Sequence, residues 1–124
     1  MLVRVDRDRI QGEGLDMSPL RGGEEYAVLE MYAKFGGRNY YRIDPMDGSA
    51  PALFDTRGFS VISPSVSRLW VAGSSDEGSL FLRPEEWAAP GFWEAYFDGE
   101  DWAEEGYVSL RDALVNEAAP NPNS

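Results

Sequence analysis

The chain contains no cysteine and no histidine, and Lys34 is its single lysine. Without cysteine there can be no disulfide, no thiolate nucleophile and no zinc site built on sulfur. Without histidine the commonest general base near neutral pH, the usual partner of a nucleophilic serine and the main imidazole metal ligand are missing. Long apolar runs are missing too. Nothing approaches the roughly 18 consecutive apolar residues of a bilayer-spanning helix, and the start "MLVRVDRDRI" has charges where a signal peptide needs an apolar stretch. These absences predict no membrane partner and a cytoplasmic location.

What is present is enough for one compact core: 124 residues, 43% hydrophobic, with 4 Trp, 6 Tyr and 6 Phe. A single domain is expected over residues 1–119, with residues 1–22 peripheral to it and a disordered tail over 120–124. Eleven basic residues against 22 acidic ones leave a net charge of −11. A field of that sign repels phosphate backbones and steers cations inward, so a basic protein is a more natural partner than nucleic acid. Solubility alone is the competing explanation of the charge.

Along the chain, "LVRV" reads as a short edge strand and "QGEGLDMSPLRGG" as a loop. From Glu24 to Phe35 the sequence alternates with a period of two. Ala27, Leu29, Met31, Ala33 and Phe35 fall on one face, with Tyr26, Val28, Glu30, Tyr32 and Lys34 on the other. Gly36-Gly37 then predicts a hairpin into "RNYYRI". "DPMDG" is a turn, and "PALFD", "FSVIS", "RLWVAG" and "SLFLR" supply further short strands.

After Arg83 the pattern becomes helical. Pro84-Glu85-Glu86 starts a turn of helix, Pro90 interrupts it, Gly91 restarts it and Asp98-Gly99 stops it. A last helix is expected from Ser109, with Asp112 completing a capping box. The architecture is α+β: a small, strongly bent antiparallel sheet or barrel followed by C-terminal helices.

Catalysis would fall to carboxylates, lysine, tyrosine or serine. Lys34 lies on the polar side of a strand. Glu30 and Asp55 can be nominated as a glycosidase-like pair, yet among 22 acidic residues some pair always can be. "DGEDWAEE", residues 98–105, lacks the ligand alternation and central glycine of a calcium loop. No catalytic residue, metal or cofactor is assigned, and the chain is expected not to be an enzyme.

The stretch "WAAPGFWEAYFDGEDWAEEGY", residues 87–107, combines seven aromatic side chains with six carboxylates and no cation. Aromatics at helical spacing usually pack on a sheet, so Trp87, Phe92, Trp93 and Phe97 are expected in the core. Trp102 and Tyr107 stand among acids and small residues and are expected as surface anchors. The predicted partner-binding set is Asp98, Glu100, Asp101, Trp102, Glu104, Glu105 and Tyr107.

"PLRGGEEYAVLE" looks like the first strand of an SH3-like small barrel. "YYRI", "PALFDTRGFSVISPSVSRLWV" and "LFLRPEEWAAPGFWEAYFDGE" are similar to small acidic bacterial proteins that resemble the immunity proteins encoded beside secreted toxins. The resemblance covers residues 19–100 and transfers no functional residue. It implies an SH3-like core and an immunity protein that blocks a cognate basic toxin, its carboxylates taking the place of substrate phosphates. A peptide-binding module using an SH3-like groove with Tyr32, Tyr40 or Trp70 is the alternative, and a small carboxylate-based hydrolase is a third.

Overall fold

A computed structural model describes residues 1–119. The expected tail, residues 120–124, lies outside the described residues. Among those described, the chain forms eight strands and three α-helices. The first elements are β1 (Leu2–Val5), α1 (Arg7–Glu13), β2 (Glu25–Ala27), β3 (Glu30–Ala33), β4 (Asn39–Ile43) and β5 (Ala52–Asp55). They are followed by β6 (Phe59–Ser63), β7 (Trp70–Ser74), β8 (Leu80–Pro84), α2 (Phe92–Phe97) and α3 (Asp101–Ala118). The α+β architecture with bent antiparallel sheets and C-terminal helices is as expected.

The strands form two separate antiparallel sheets, β2-β1-β6 and β5-β4-β3-β8-β7. Neither closes, since β2 and β6 end one and β5 and β7 end the other. This corrects the expectation of an SH3-like barrel, and the cause lies in the stretch read as one long strand. Val28 and Leu29 divide it: the Val28 amide donates to Met1 O at 3.1 Å, towards the first sheet, and the Leu29 amide donates to Arg42 O at 2.9 Å, towards the second. Both side chains are buried, at 2% and 1% exposure, because the seam faces core on both sides. A barrel needs ladder pairing that continues around a circuit, and here the chain changes sheet at Val28–Leu29.

The first residues are central rather than peripheral. β1 pairs with both β2 and β6, and Val3 and Val5 are fully buried. The expected loop after it starts as α1, capped by Asp6, whose carboxylate accepts the Asp8 and Arg9 amides at 3.1 Å each. Gly14, at φ 65°, ends this helix in the left-handed conformation. Hydrogen bonds from the Ser60 hydroxyl and from those amides hold the Asp6 carboxyl below its ordinary pKa.

At the other end of the chain α3 starts at Asp101, eight residues before the expected Ser109. The turn between α2 and α3 explains the early start. The Gly99 amide donates to Tyr96 O at 3.1 Å and the Glu100 amide to Ala95 O at 3.0 Å, with Gly99 at φ 78°. This paired closure satisfies the last carbonyls of α2 and needs a left-handed residue, which glycine supplies without strain. The chain then re-enters helix at once, with Asp101 and Glu104 in the first turn, where carboxylates complement the helix dipole.

Candidate partner-binding surface

The helical end is attached to the five-stranded sheet by two buried carboxylates. Glu30 of β3 is 3% exposed. Its Oε2 accepts Arg42 Nε at 2.8 Å and its Oε1 accepts Trp93 Nε1 at 3.1 Å, while the Arg42 guanidinium lies 3.9 Å from the centre of the Trp93 ring. Asp44, just after β4, accepts the Tyr107 hydroxyl at 2.6 Å and Arg111 Nη1 at 3.4 Å on Oδ2, and the Met46 amide at 2.8 Å on Oδ1. Buried charges persist only when paired and hydrogen-bonded, and both of these are. Burial, and then the hydrogen bond to Asp44, push the Tyr107 hydroxyl far above its ordinary pKa.

Around these anchors the aromatic side chains form one connected cluster. Trp87 is 1% exposed and stacks on Tyr107 at 5.3 Å and on Phe92 at 6.2 Å, with Trp93 edge-on at 5.4 Å. Trp87 and Phe92 are core, as expected. Trp93 is half-buried, its ring covered by Arg42.

Two expectations are corrected. Phe97 is 55% exposed. Six-residue α2 buries Phe92 and Ala95, three apart on one face, and a residue five positions after Phe92 points away from it. Tyr107 is 1% exposed, so it is an internal anchor and not a surface one. It falls on the α3 face formed by Ala103, Tyr107, Leu110 and Leu114, which packs inward. That spacing is present in the sequence, but a last helix that begins at Ser109 contains neither Ala103 nor Tyr107.

The other predicted site residues are at the surface. Asp98, Glu100, Asp101, Glu104 and Glu105 are exposed, and Trp102 is 55% exposed, resting edge-on against Phe92 at 6.0 Å. Glu85, Glu86 and Glu94, which the sequence reading did not include, are exposed as well. Among the described residues none of these eight carboxylates takes part in an ion pair. Arg111, the one cation after Arg83, turns towards Asp44 and Asp112. Positions 101, 104, 105 and 108 share one side of α3, so Asp101, Glu104 and Glu105 repel one another there.

The nominated catalytic carboxylates are both engaged elsewhere: Glu30 as described, and Asp55 with Arg57, at 3.1 Å on Oδ1 and 3.0 Å on Oδ2. Among the described residues no three acidic side chains converge into a set able to hold a metal ion. Trp70, named for a peptide groove, is 8% exposed and donates from Nε1 to Leu29 O at 2.9 Å. No helix among the described residues is long and apolar enough to cross a membrane.

No family model, curated protein or solved structure matches this chain. The resemblance to immunity-type proteins with an SH3-like core is corrected, since neither sheet closes into the barrel that it implied.

Proposed function

We propose that the protein is a binding protein that captures a cationic protein partner on its helical end. The observation that supports this is the set of eight exposed carboxylates between Glu85 and Glu105, free of ion pairs among the described residues, with half-exposed Trp102 among them. The helix dipole accounts for Asp101 and Glu104 in the first turn of α3, but not for Glu105 or for the carboxylates outside that helix. A partner rich in lysine and arginine would relieve their mutual repulsion, and a cation above the Trp102 ring would gain a cation–π contact.

In its most specific form the partner is a basic toxin, met in the cytoplasm and blocked by occupation of the place where substrate phosphates sit. Charge complementarity speeds such an encounter, and a partly buried aromatic anchor slows release. Co-expression with the product of the adjacent gene tests this form: rescue of growth supports it, and a neighbour harmless on its own overturns it. The broader proposal is tested by association kinetics with a captured basic partner. Glu104→Lys combined with Glu105→Lys should slow association about tenfold at low salt. An unchanged rate would remove this surface from the interface.

A further inference from the structure

One face of the five-stranded sheet is covered by core at one end only. Pairing register and strand alternation put Met31, Ala33, Tyr41, Ala72, Leu80 and Leu82 on this face. Beyond Tyr41 it opens into an apolar groove of about 410 Å³. Two hairpin turns stand side by side at its rim. Turn 34–38 carries Lys34 and Arg38; turn 75–78 carries Asp76 and Glu77. The Phe35 amide donates to Ser79 Oγ at 2.9 Å, and that hydroxyl donates to Glu77 Oε1 at 3.2 Å, with Ser79 wholly buried. The two turns thus make one corner, from which Phe35 projects at 71% exposure beside Leu80 at 59%.

We propose that this groove is a two-fold interface whose occupant is a second copy of the chain. Phe35 of each copy enters the groove of the other and packs against Leu80 on its wall, and the basic turn of one meets the acidic turn of its mate. A two-fold contact must be self-complementary, and an apolar projection beside an apolar groove, with both charge signs on adjacent turns, satisfies that condition. A strongly charged partner of either sign would meet repulsion from one of the turns. The excess negative charge is no obstacle, because it is concentrated after Pro84, while residues 1–84 carry 12 carboxylates against 10 cations.

Sedimentation equilibrium of the full chain, from micromolar to millimolar concentration, tests the proposal. A concentration-dependent monomer–dimer equilibrium is expected, and Leu80→Asp should raise its dissociation constant at least about tenfold. Phe35→Asp should act in the same direction. Circular dichroism should stay unchanged for both, and so should thermal melting at concentrations where wild type is monomeric, given their exposure. Lys34→Glu alone should weaken the dimer, as should Asp76→Lys alone, and mixing the two single variants should restore it, a rescue that requires the opposed turns of two copies. A chain that is monomeric throughout overturns the proposal. So does a dimer insensitive to Leu80→Asp and Phe35→Asp. A monomer whose groove takes up a hydrophobic dye or an extended apolar peptide would give the groove to that other occupant.

Discussion

Residues 1–84 and residues 85–119 manage charge in opposite ways. The strand-rich part has 12 carboxylates and 10 cations, and binds many of them to each other: Arg4 with Glu25, Arg9 with Asp6, Arg42 with Glu30, Arg57 with Asp55 and Glu13. The helical part has 10 carboxylates and one cation, and directs that cation, Arg111, at Asp44 of the strand-rich part and at its own neighbour Asp112. A coat of charge for solubility needs no such segregation. The −11 of the chain is in effect a property of its last third, so composition alone understates how negative that surface is.

The contrast is sharpest at the junction, where charge is structural. Removing Glu30 leaves Arg42 without its carboxylate and the Trp93 indole without its acceptor. Glu30→Ala should cost about 3–5 kcal/mol in urea unfolding, whereas Glu104→Ala and Glu105→Ala should each stay within about 0.5 kcal/mol. A loss below about 1 kcal/mol at Glu30 would erase the distinction between the two regions. Tyr107→Phe is the next largest effect. It deprives Asp44 of a 2.6 Å hydrogen bond while Arg111 and the Met46 amide remain, and should cost about 1–3 kcal/mol. Because the folded pKa of Tyr107 lies above its ordinary value of 10.0, its contribution is complete below that pH and lost as pH rises beyond it. Wild type should lose stability in alkali more steeply than Tyr107→Phe.

The strand-rich part should show the converse at low pH. The hydrogen bond from Arg57 is the main reason that the Asp55 carboxyl lies below its ordinary value of 3.8. A carboxyl with a lowered folded pKa contributes fully above the ordinary value and loses that contribution as pH falls through the folded one. The difference in urea midpoint between wild type and Asp55→Asn should therefore be constant near neutrality and shrink below about pH 4. A difference independent of pH would mean that Asp55 contributes through shape alone.

Local grammar made much of this fold legible. Short runs of β-formers ended by glycine, proline and aspartate marked the strands, and Asp98-Gly99 marked the end of α2. Trp87 and Phe92 read correctly as core. What could not be read was set by tertiary context. The period of two runs unbroken through Val28–Leu29, although the chain changes sheet there, because alternation does not encode which partner strand accepts each amide. Helix α1 was hidden by Gly12 and Gly14, of which only Gly14 is the actual stop. Glu30 and Asp44 looked like two acids among 22. Only the folded chain shows that Trp93 and Tyr107, both 63 residues away, donate to them. At the candidate surface, Trp102 and the five carboxylates from Asp98 to Glu105 were legible as exposed, and Tyr107 was not legible as buried.

The smallest stability effects give the finest test, since two neighbouring charges on α3 should separate structure from binding. Glu105→Lys puts a cation four residues after Asp101, the favourable order for an ion pair on a helix, and should stabilise the fold by about 0.3–0.5 kcal/mol. Glu104→Lys instead puts a cation into the first turn, against the helix dipole, and should destabilise by about 0.3–1 kcal/mol. Their effects on stability are thus opposite in sign, while electrostatic steering of a cationic partner is weakened by either change. Paired thermal melts and stopped-flow association measurements at low salt distinguish the two roles. Opposite shifts in melting with parallel slowing of association would show a surface kept for a partner at some cost to the helix that carries it. Opposite shifts in melting with unchanged association would reduce these carboxylates to a solubilising coat.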